Sequence, residues 1–239
     1  MKIDIPLFIL AGGFGTRLQS VVSDVPKPLA PIEKKPFLQY LLERWIEQGV
    51  SNFIFLLHHK AELIVQFVQE FQKTSQAAFD FSIVREAVPL GTGGSVANAV
   101  RVLGLSTDFF VSNADTWLGP NTIQRMNHLP DCGIGIVKVK NTSRYGSVEL
   151  RNEKIVKFRE KTLSSGSDWI NAGIYKLNSK IFENWNGQPF SMESELFPKL
   201  IAINGLNAIK LENEFIDIGI PEDYAQFQKW IQSNKDFSL

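Results

Sequence analysis

The chain of 239 residues holds a single cysteine, Cys132. No intramolecular disulfide can form, which fits a reducing compartment. Cys132 itself reads as a small buried apolar residue rather than a nucleophile. An excess of either charge is also missing, because 25 basic and 25 acidic residues cancel. A nucleic-acid groove normally needs a basic excess, so that class of partner is disfavoured. Small anionic substrates need only a few well-placed cations and stay open. No apolar run is long enough to span a bilayer. The opening Met1-Lys2-Ile3-Asp4-Ile5-Pro6 lacks the apolar stretch of a secretion signal. A cytoplasmic protein without a membrane partner is therefore expected. No linker-like or low-complexity stretch divides the chain, and no hexapeptide repeat announces a C-terminal β-helix.

What is present is a core of useful size, with 44% hydrophobic residues. Leu7-Phe8-Ile9-Leu10-Ala11 is a continuous apolar run ending in glycines, the pattern of a strand buried on both faces. Residues 37–48 read as an amphipathic helix stopped by Gly49. Strand signals follow at 52–57, 79–84 and 109–111, and helical patterns at 61–71 and 95–103. This alternation points to an α/β domain with a mostly parallel sheet. From residue 133 the character changes. Strands are expected at 133–139, 146–150, 155–158 and 170–177, with shorter connections, as an antiparallel or mixed extension. Helices return at 195–203 and 221–231. Pro221-Glu222-Asp223 is a strong helix start: proline fits the first turn, and acids complement the dipole. The expectation is one domain over 1–239, with lobes of about 1–130 and about 131–239.

The first strand runs into Gly12-Gly13-Phe14-Gly15-Thr16-Arg17-Leu18. Glycines allow close backbone approach and positive φ. Successive N–H groups in such a turn form an anion site, and Arg17 adds a bidentate cation for phosphate. The dinucleotide fingerprint would need a third glycine where Leu18 stands, and the P-loop would need a Gly-Lys-Ser/Thr ending that is absent. The same connection carries Pro26-Lys27-Pro28-Leu29, a lysine on a stiff backbone, suited to placing one cation near a developing phosphate charge. A ligand-free turn and a solvated lysine are the plain alternatives for each stretch taken alone. Asp115 follows a buried strand at the carboxyl edge of the sheet, where open α/β sheets bind ligands; its plain alternative is a turn aspartate. His58 and His59 read as a turn or pocket wall, and Glu193 as a helix-start acid or a substrate contact.

The ordered series Leu10 to Leu18, Pro26-Lys27-Pro28-Leu29-Ala30-Pro31-Ile32 and Lys35-Pro36-Phe37-Leu38 resembles the signature of sugar-1-phosphate nucleotidyltransferases. The resemblance continues through Glu86 with Pro89-Leu90-Gly91-Thr92-Gly93-Gly94-Ser95, Asn113-Ala114-Asp115, Arg144-Tyr145-Gly146-Ser147-Val148, Phe158-Arg159-Glu160-Lys161, Ile170-Asn171-Ala172-Gly173-Ile174-Tyr175, and the stretch from Phe215 to Tyr224. Within that family the sequence is most similar to D-glycero-α-D-manno-heptose 1-phosphate guanylyltransferases, with mannose-1-phosphate guanylyltransferases next. Two departures stand out. Ala114 occupies a position where glycine is usual, and its methyl bears on nucleotide geometry. Thr162 replaces a common proline.

The resemblance implies a Rossmann-like, mostly parallel mixed sheet flanked by helices, with a small sugar-binding lobe. It assigns Arg17, Lys27 and Asp115 to catalysis. Leu10, Ala11, Gly12, Gly13, Gly15, Thr16, Arg17, Lys27, Glu86, Gly91 and Thr92 would bind the nucleotide, and Gly146, Glu160, Lys161 and Asn171 the sugar phosphate. Asp115 and Asp217 would hold Mg²⁺. GTP and a sugar 1-phosphate are the expected small-molecule partners, and the resemblance also implies a homodimer. Another base (UTP or CTP), mannose 1-phosphate as acceptor, or a non-catalytic sugar-nucleotide sensor on the same fold are the alternatives. The sensor is disfavoured by retention of the charged set.

Overall fold

The computed structural model describes residues 2–140, 142, 145, 147–159, 168–212 and 214–234. Gly146, Glu160 and Lys161, expected on the sugar side, lie outside the described residues, as do Arg144 and Thr162. The elements in chain order are β1 (Leu7–Leu10), β2 (Pro31–Ile32), β3 (Lys35–Pro36), α1 (Phe37–Glu47), β4 (Asn52–Leu57), α2 (Ala61–Thr74), β5 (Asp80–Arg85), α3 (Gly91–Leu103), β6 (Asp108–Asn113), β7 (Thr116–Leu118), α4 (Thr122–Asn127), β8 (Gly133–Val139), β9 (Ser147–Arg151), β10 (Lys154–Arg159), β11 (Asp168–Asn178), α5 (Phe197–Asn204), β12 (Leu206–Lys210), β13 (Phe215–Asp217) and α6 (Pro221–Ser233).

Nine strands form one sheet in the order β5-β4-β1-β6-β11-β8-β12-β10-β9. The first four run parallel, with Leu7 opposite Phe53 on one side and Phe110 on the other. From β6 onward the pairing turns mixed: β11 is antiparallel to β6 and β8, and β12 is parallel to β8. The expected change of character at residue 133 is thus an extension of the same sheet, not a second one.

Period-two alternation splits the strand residues between two cores. Leu7, Ile9, Phe53 and Phe55 meet α1, α2 and α6 on one face. Phe8, Ile54 and Leu56 meet α3 and α5 on the other. The first core contains an aromatic cluster in which the Phe227 ring of α6 lies 4.9 Å from Phe37 and 5.5 Å from Trp117. Among the described residues no helix is long and apolar enough to cross a membrane.

Helix α3 begins at Gly91, four residues before the helical pattern read from sequence. Intrinsic propensity disfavours the glycine-rich 91–94 stretch as helix, but tertiary packing overrides it. The carbonyl of Phe190 accepts from the N–H groups of Gly93 and Gly94 at 3.0 and 3.2 Å, capping donors that a helix start leaves orphaned. Side chains have no room here. A Cβ on Gly91 would sit 2.6 Å from the Phe190 carbonyl oxygen, and one on Gly93 2.1 Å from the Phe190 ring. Glu195 also differs from expectation: it belongs to a wide π-type turn, Met192–Leu196, and α5 proper starts at Phe197.

Candidate active site

Strand β1 ends at the sheet's carboxyl edge, and the glycine segment leaves from it. Gly15 adopts φ +62° and opens a short 3₁₀ turn, Thr16–Leu18. A side chain at Gly15 would be strained by that φ, and its Cβ would stand 3.1 Å from Cβ of Lys27. The glycine segment and the lysine are therefore packed together. Lys27 opens a second 3₁₀ turn, Lys27–Leu29, with Pro26 and Pro28 fixing the backbone on either side.

Lys27 Nζ donates to Oδ2 of Asp115 as a close ion pair, both groups mostly shielded from solvent. Thr116 Oγ1 donates to Oδ1 of Asp115 at 3.1 Å. Burial alone would raise the Asp115 pKa, but Lys27, with help from the Thr116 hydroxyl and the Arg17 charge, more than offsets it and holds the carboxyl below its usual range.

Asp217 reaches the same place from the far end of the chain. Strands β7 and β13 form a separate antiparallel ribbon in which Asp217 stands opposite Thr116. The Ile218 N–H donates to the Asp115 carbonyl at 2.9 Å, which closes the ribbon. Burial pushes the Asp217 carboxyl up to about 6, and the neighbouring Asp115 charge adds to that rise. Lys27, a 2.7 Å hydrogen bond from the Gly219 N–H, and Arg17 partly counter it. The exposed Arg17 lies close by: a Cβ on Gly219 would be 3.4 Å from an Arg17 guanidinium nitrogen.

Two carboxylates thus share a shielded site, where burial and the Asp115 charge make the ionised form of Asp217 costly. That donor set fits a hard divalent cation. Among the described residues no group of three or more His, Cys, Asp and Glu side chains could hold a metal by itself. A cation at Asp115 and Asp217 would therefore need further oxygen ligands from substrate, the arrangement Mg²⁺ favours.

Beside this cluster opens a cavity of about 350 Å³, lined among others by Leu10, Gly12, Gly13, His58, Glu86 and Thr92, and reaching Asp115. Gly91 also lines it; Ala11 is buried behind, and Thr16 is exposed. Gly12 abuts the next strand end, where a Cβ would come within 3.1 Å of the His58 backbone nitrogen. His58 forms part of the cavity wall, with Nδ1 3.0 Å from the Glu86 carbonyl. Glu86 Oε2 accepts from the Leu90 N–H at 3.0 Å, which ties the wall to the start of α3. Ala114 is buried, its N–H donating to the Leu10 carbonyl at 3.2 Å. Asn171, on β11, is described too; Cys132 is partly buried, and desolvation pushes its thiol up to about 11, away from nucleophilic use.

Sequence reasoning left Glu193 undecided. It stands in the Met192–Leu196 turn, where its carboxylate accepts from Thr92 Oγ1 at 2.7 Å and Ser191 Oγ at 2.9 Å. Ser191 caps that turn through the N–H groups of Glu193 and Ser194. The cap was readable as a helix start; the reach to Thr92, about a hundred residues upstream, had no local signal.

A glycine-lined cavity at the carboxyl edge of a parallel sheet, flanked by a lysine, an arginine and two carboxylates, defines a nucleotide-handling α/β enzyme site. The Nucleotidyl transferase family model matches residues 7–234, and the chain belongs to that family. It is 34% identical over 229 residues to D-glycero-alpha-D-manno-heptose 1-phosphate guanylyltransferase of Aneurinibacillus thermoaerophilus, covering 94% of this chain and 97% of that protein. It is 36% identical over 224 residues to Probable mannose-1-phosphate guanylyltransferase 1 of Oryza sativa subsp. japonica; there the match covers 90% of this chain but 62% of that longer protein. Among solved structures, HddC from Yersinia pseudotuberculosis, also crystallised in complex with GMP-PN, superposes with a TM-score of 0.81 at 36% identity, over 95% of this chain and 99% of that one.

Proposed function

We propose that the chain transfers GMP from GTP to a sugar 1-phosphate, with D-glycero-α-D-manno-heptose 1-phosphate as acceptor, giving GDP-heptose and pyrophosphate for surface polysaccharide synthesis. The observation that carries this is the convergence of Lys27, Arg17, Asp115 and Asp217 beside the glycine-lined cavity. The choice of base and sugar leans on the heptose-phosphate guanylyltransferase that aligns over nearly its whole length.

The reaction is an in-line displacement. An oxygen of the sugar phosphate forms a bond to the α-phosphorus of GTP, the α–β bridging bond breaks, and pyrophosphate carries away the electron pair. The attacking phosphate is already largely dianionic at neutral pH, because its second pKa is about 6. No general base and no serine or cysteine nucleophile is needed. What remains is to position two polyanions and neutralise charge as it develops. The backbone of Gly12, Gly13 and Gly15 cradles the triphosphate, with Leu10, Ala11, Thr16, Glu86, Gly91 and Thr92 around the nucleoside. Arg17 serves the β- and γ-phosphates and Lys27 the reacting phosphates. Asp115 and Asp217 would hold Mg²⁺, which supplies charge neutralisation at the phosphates. On the sugar side, Asn171 together with Gly146, Glu160 and Lys161 carries the family roles, within the lobe from about residue 131 onward.

Mannose 1-phosphate is the second reading, supported by the 36% identity to the rice protein. A pyrophosphate-release screen with Mg²⁺ separates the two. It crosses GTP, UTP, CTP, ATP and dTTP with hexose and heptose 1-phosphates. Highest kcat/KM for GTP with the heptose phosphate is the expected result. Highest kcat/KM with mannose 1-phosphate moves the assignment to the second reading. Binding without turnover for every pair overturns the enzymatic reading and favours a sensor.

A further inference from the structure

Residues 190–193 form a strap across the start of α3. The Phe190 N–H donates to the Leu90 carbonyl at 2.9 Å, and the Phe190 carbonyl caps Gly93 and Gly94. Thr92 Oγ1 accepts from the Met192 N–H at 2.9 Å while donating to Glu193 Oε2. The one proton of the Thr92 hydroxyl is thus committed within the protein, although the residue lines the nucleotide cavity. Its task toward the nucleotide is to fix the wall it stands on.

The other carboxylate oxygen of Glu193 faces the opposite way. Tyr175 O–H approaches Oε1 at 3.5 Å, and the same phenol oxygen accepts from Asn171 Nδ2 at 2.8 Å. The Gly173 N–H donates to Asn171 Oδ1 at 3.0 Å. These bonds fix which end of the Asn171 amide is which. Tyr175 is fully buried in the second core, so its hydroxyl has nowhere else to go. A continuous chain, Thr92–Glu193–Tyr175–Asn171, therefore runs from the nucleotide cavity to the residue assigned to the sugar phosphate. It joins α3 to β11 through side chains from elements far apart in sequence.

We infer that Glu193 is a positioning residue that couples the two substrate sites, so that a nucleotide seated against α3 presets Asn171 for the sugar phosphate, and the reverse. A carboxylate suits the post: it accepts only, so each hydroxyl around it must donate, and every proton direction is set. Coupling of this kind is reciprocal, so each ligand tightens the other by one common factor. The inference rests on the guanylyl-transfer reading of the same site.

The test measures binding without turnover. Guanosine 5′-(α,β-methylene)triphosphate, unreactive at the bond to be broken, is titrated with Mg²⁺ into the protein with and without heptose 1-phosphate. Wild type should show mutual tightening on the order of 5-fold or more. Tyr175→Phe removes only the sugar-side arm. It should abolish the tightening and raise KM for the sugar phosphate, with nucleotide affinity in the absence of sugar held within about twofold, the spread within which distant sites act independently. Glu193→Ala should abolish the tightening as well. Glu193→Gln keeps one acceptor for Thr92 and Ser191 and should retain nucleotide affinity while losing coupling. Full wild-type coupling in folded Tyr175→Phe and Glu193→Ala overturns the inference, as does an equal loss of both binary affinities in Tyr175→Phe. Failure of the underlying reading looks different: wild type itself then fails to bind the nucleotide analogue.

Discussion

Replacing Asp217 by asparagine should stabilise the metal-free protein at neutral pH, although it removes a proposed metal ligand. In the fold the Asp217 carboxyl is raised from 3.8 to about 6, by burial first and then by the Asp115 charge. A proton is bound more tightly in the native state, so the group's contribution is favourable below pH ~4 and is lost as pH rises through about 6. A shift of about two units corresponds to roughly 3 kcal/mol at 1.36 kcal/mol per unit. Partial solvent access trims this to on the order of 1–3 kcal/mol. Asp115 works the other way, because its carboxyl is held low; its contribution is present above its ordinary range and is lost only in stronger acid. Between pH 4 and 7 the Asp217 contribution therefore dominates the pair. Asparagine keeps the carbonyl that accepts from Gly219 and removes the charge. The assay is urea unfolding in EDTA at pH 5 and 7.5. The variant should exceed wild type by about 1–3 kcal/mol at pH 7.5, with the gap narrowing at pH 5. Adding Mg²⁺ should reverse the order, since only wild type gains the full binding linkage. A variant less stable than wild type at pH 7.5 in EDTA would refute the reasoning.

Other variants bear on the remaining parts. Lys27→Ala should lower turnover by on the order of a hundredfold or more, as loss of a charge contact in the transition state does; near-normal kcat in steady-state assays would remove Lys27 from the mechanism. Asp115→Asn should abolish Mg²⁺-dependent turnover, and unchanged metal dependence in a Mg²⁺ titration would count against a ligand role. Gly91→Ala places a Cβ 2.6 Å from the Phe190 carbonyl at φ +71°; a loss of at least ~1 kcal/mol in stability, with raised KM for GTP, is expected from thermal unfolding and kinetics. Phe227→Ala should cost about 3–5 kcal/mol, because it empties the ring cluster with Phe37 and Trp117; a Tm within a degree of wild type would contradict that packing.

The first half of the fold was legible because its strands are unbroken apolar runs and its helices carry clear stripes. Asn52–Leu57 falls where the pattern puts it, and in the second half so does Gly133–Val139. Short elements were not legible. Thr116–Leu118 and Phe215–Asp217 are three residues each, too short for any period to show. They nonetheless bring Asp115 to Asp217, so the resemblance could pair the two carboxylates while spacing could not. The start of α3 was misread because glycine propensity speaks against a helix, and only the distant Phe190 carbonyl explains it. The hub at Glu193 was hidden for the same reason. Its partners, Thr92 and Tyr175, come from other elements, and a helix-start acid looks the same in sequence whether or not it reaches them.

The ribbon of β7 and β13 also sets a schedule. Asp115 leaves the ribosome about a hundred residues before Asp217, an interval of roughly 5–20 s at ~5–20 residues per second. During that time the glycine segment, Lys27 and the first carboxylate exist without the second. Helix α6, which closes the aromatic cluster with Phe227, emerges later still. A nascent chain can therefore collapse around its parallel strands while Asp115 still lacks Asp217 beside it. The site is complete only once the last elements dock, and a chain stalled before residue 215 would hold Lys27 and Asp115 without the second carboxylate.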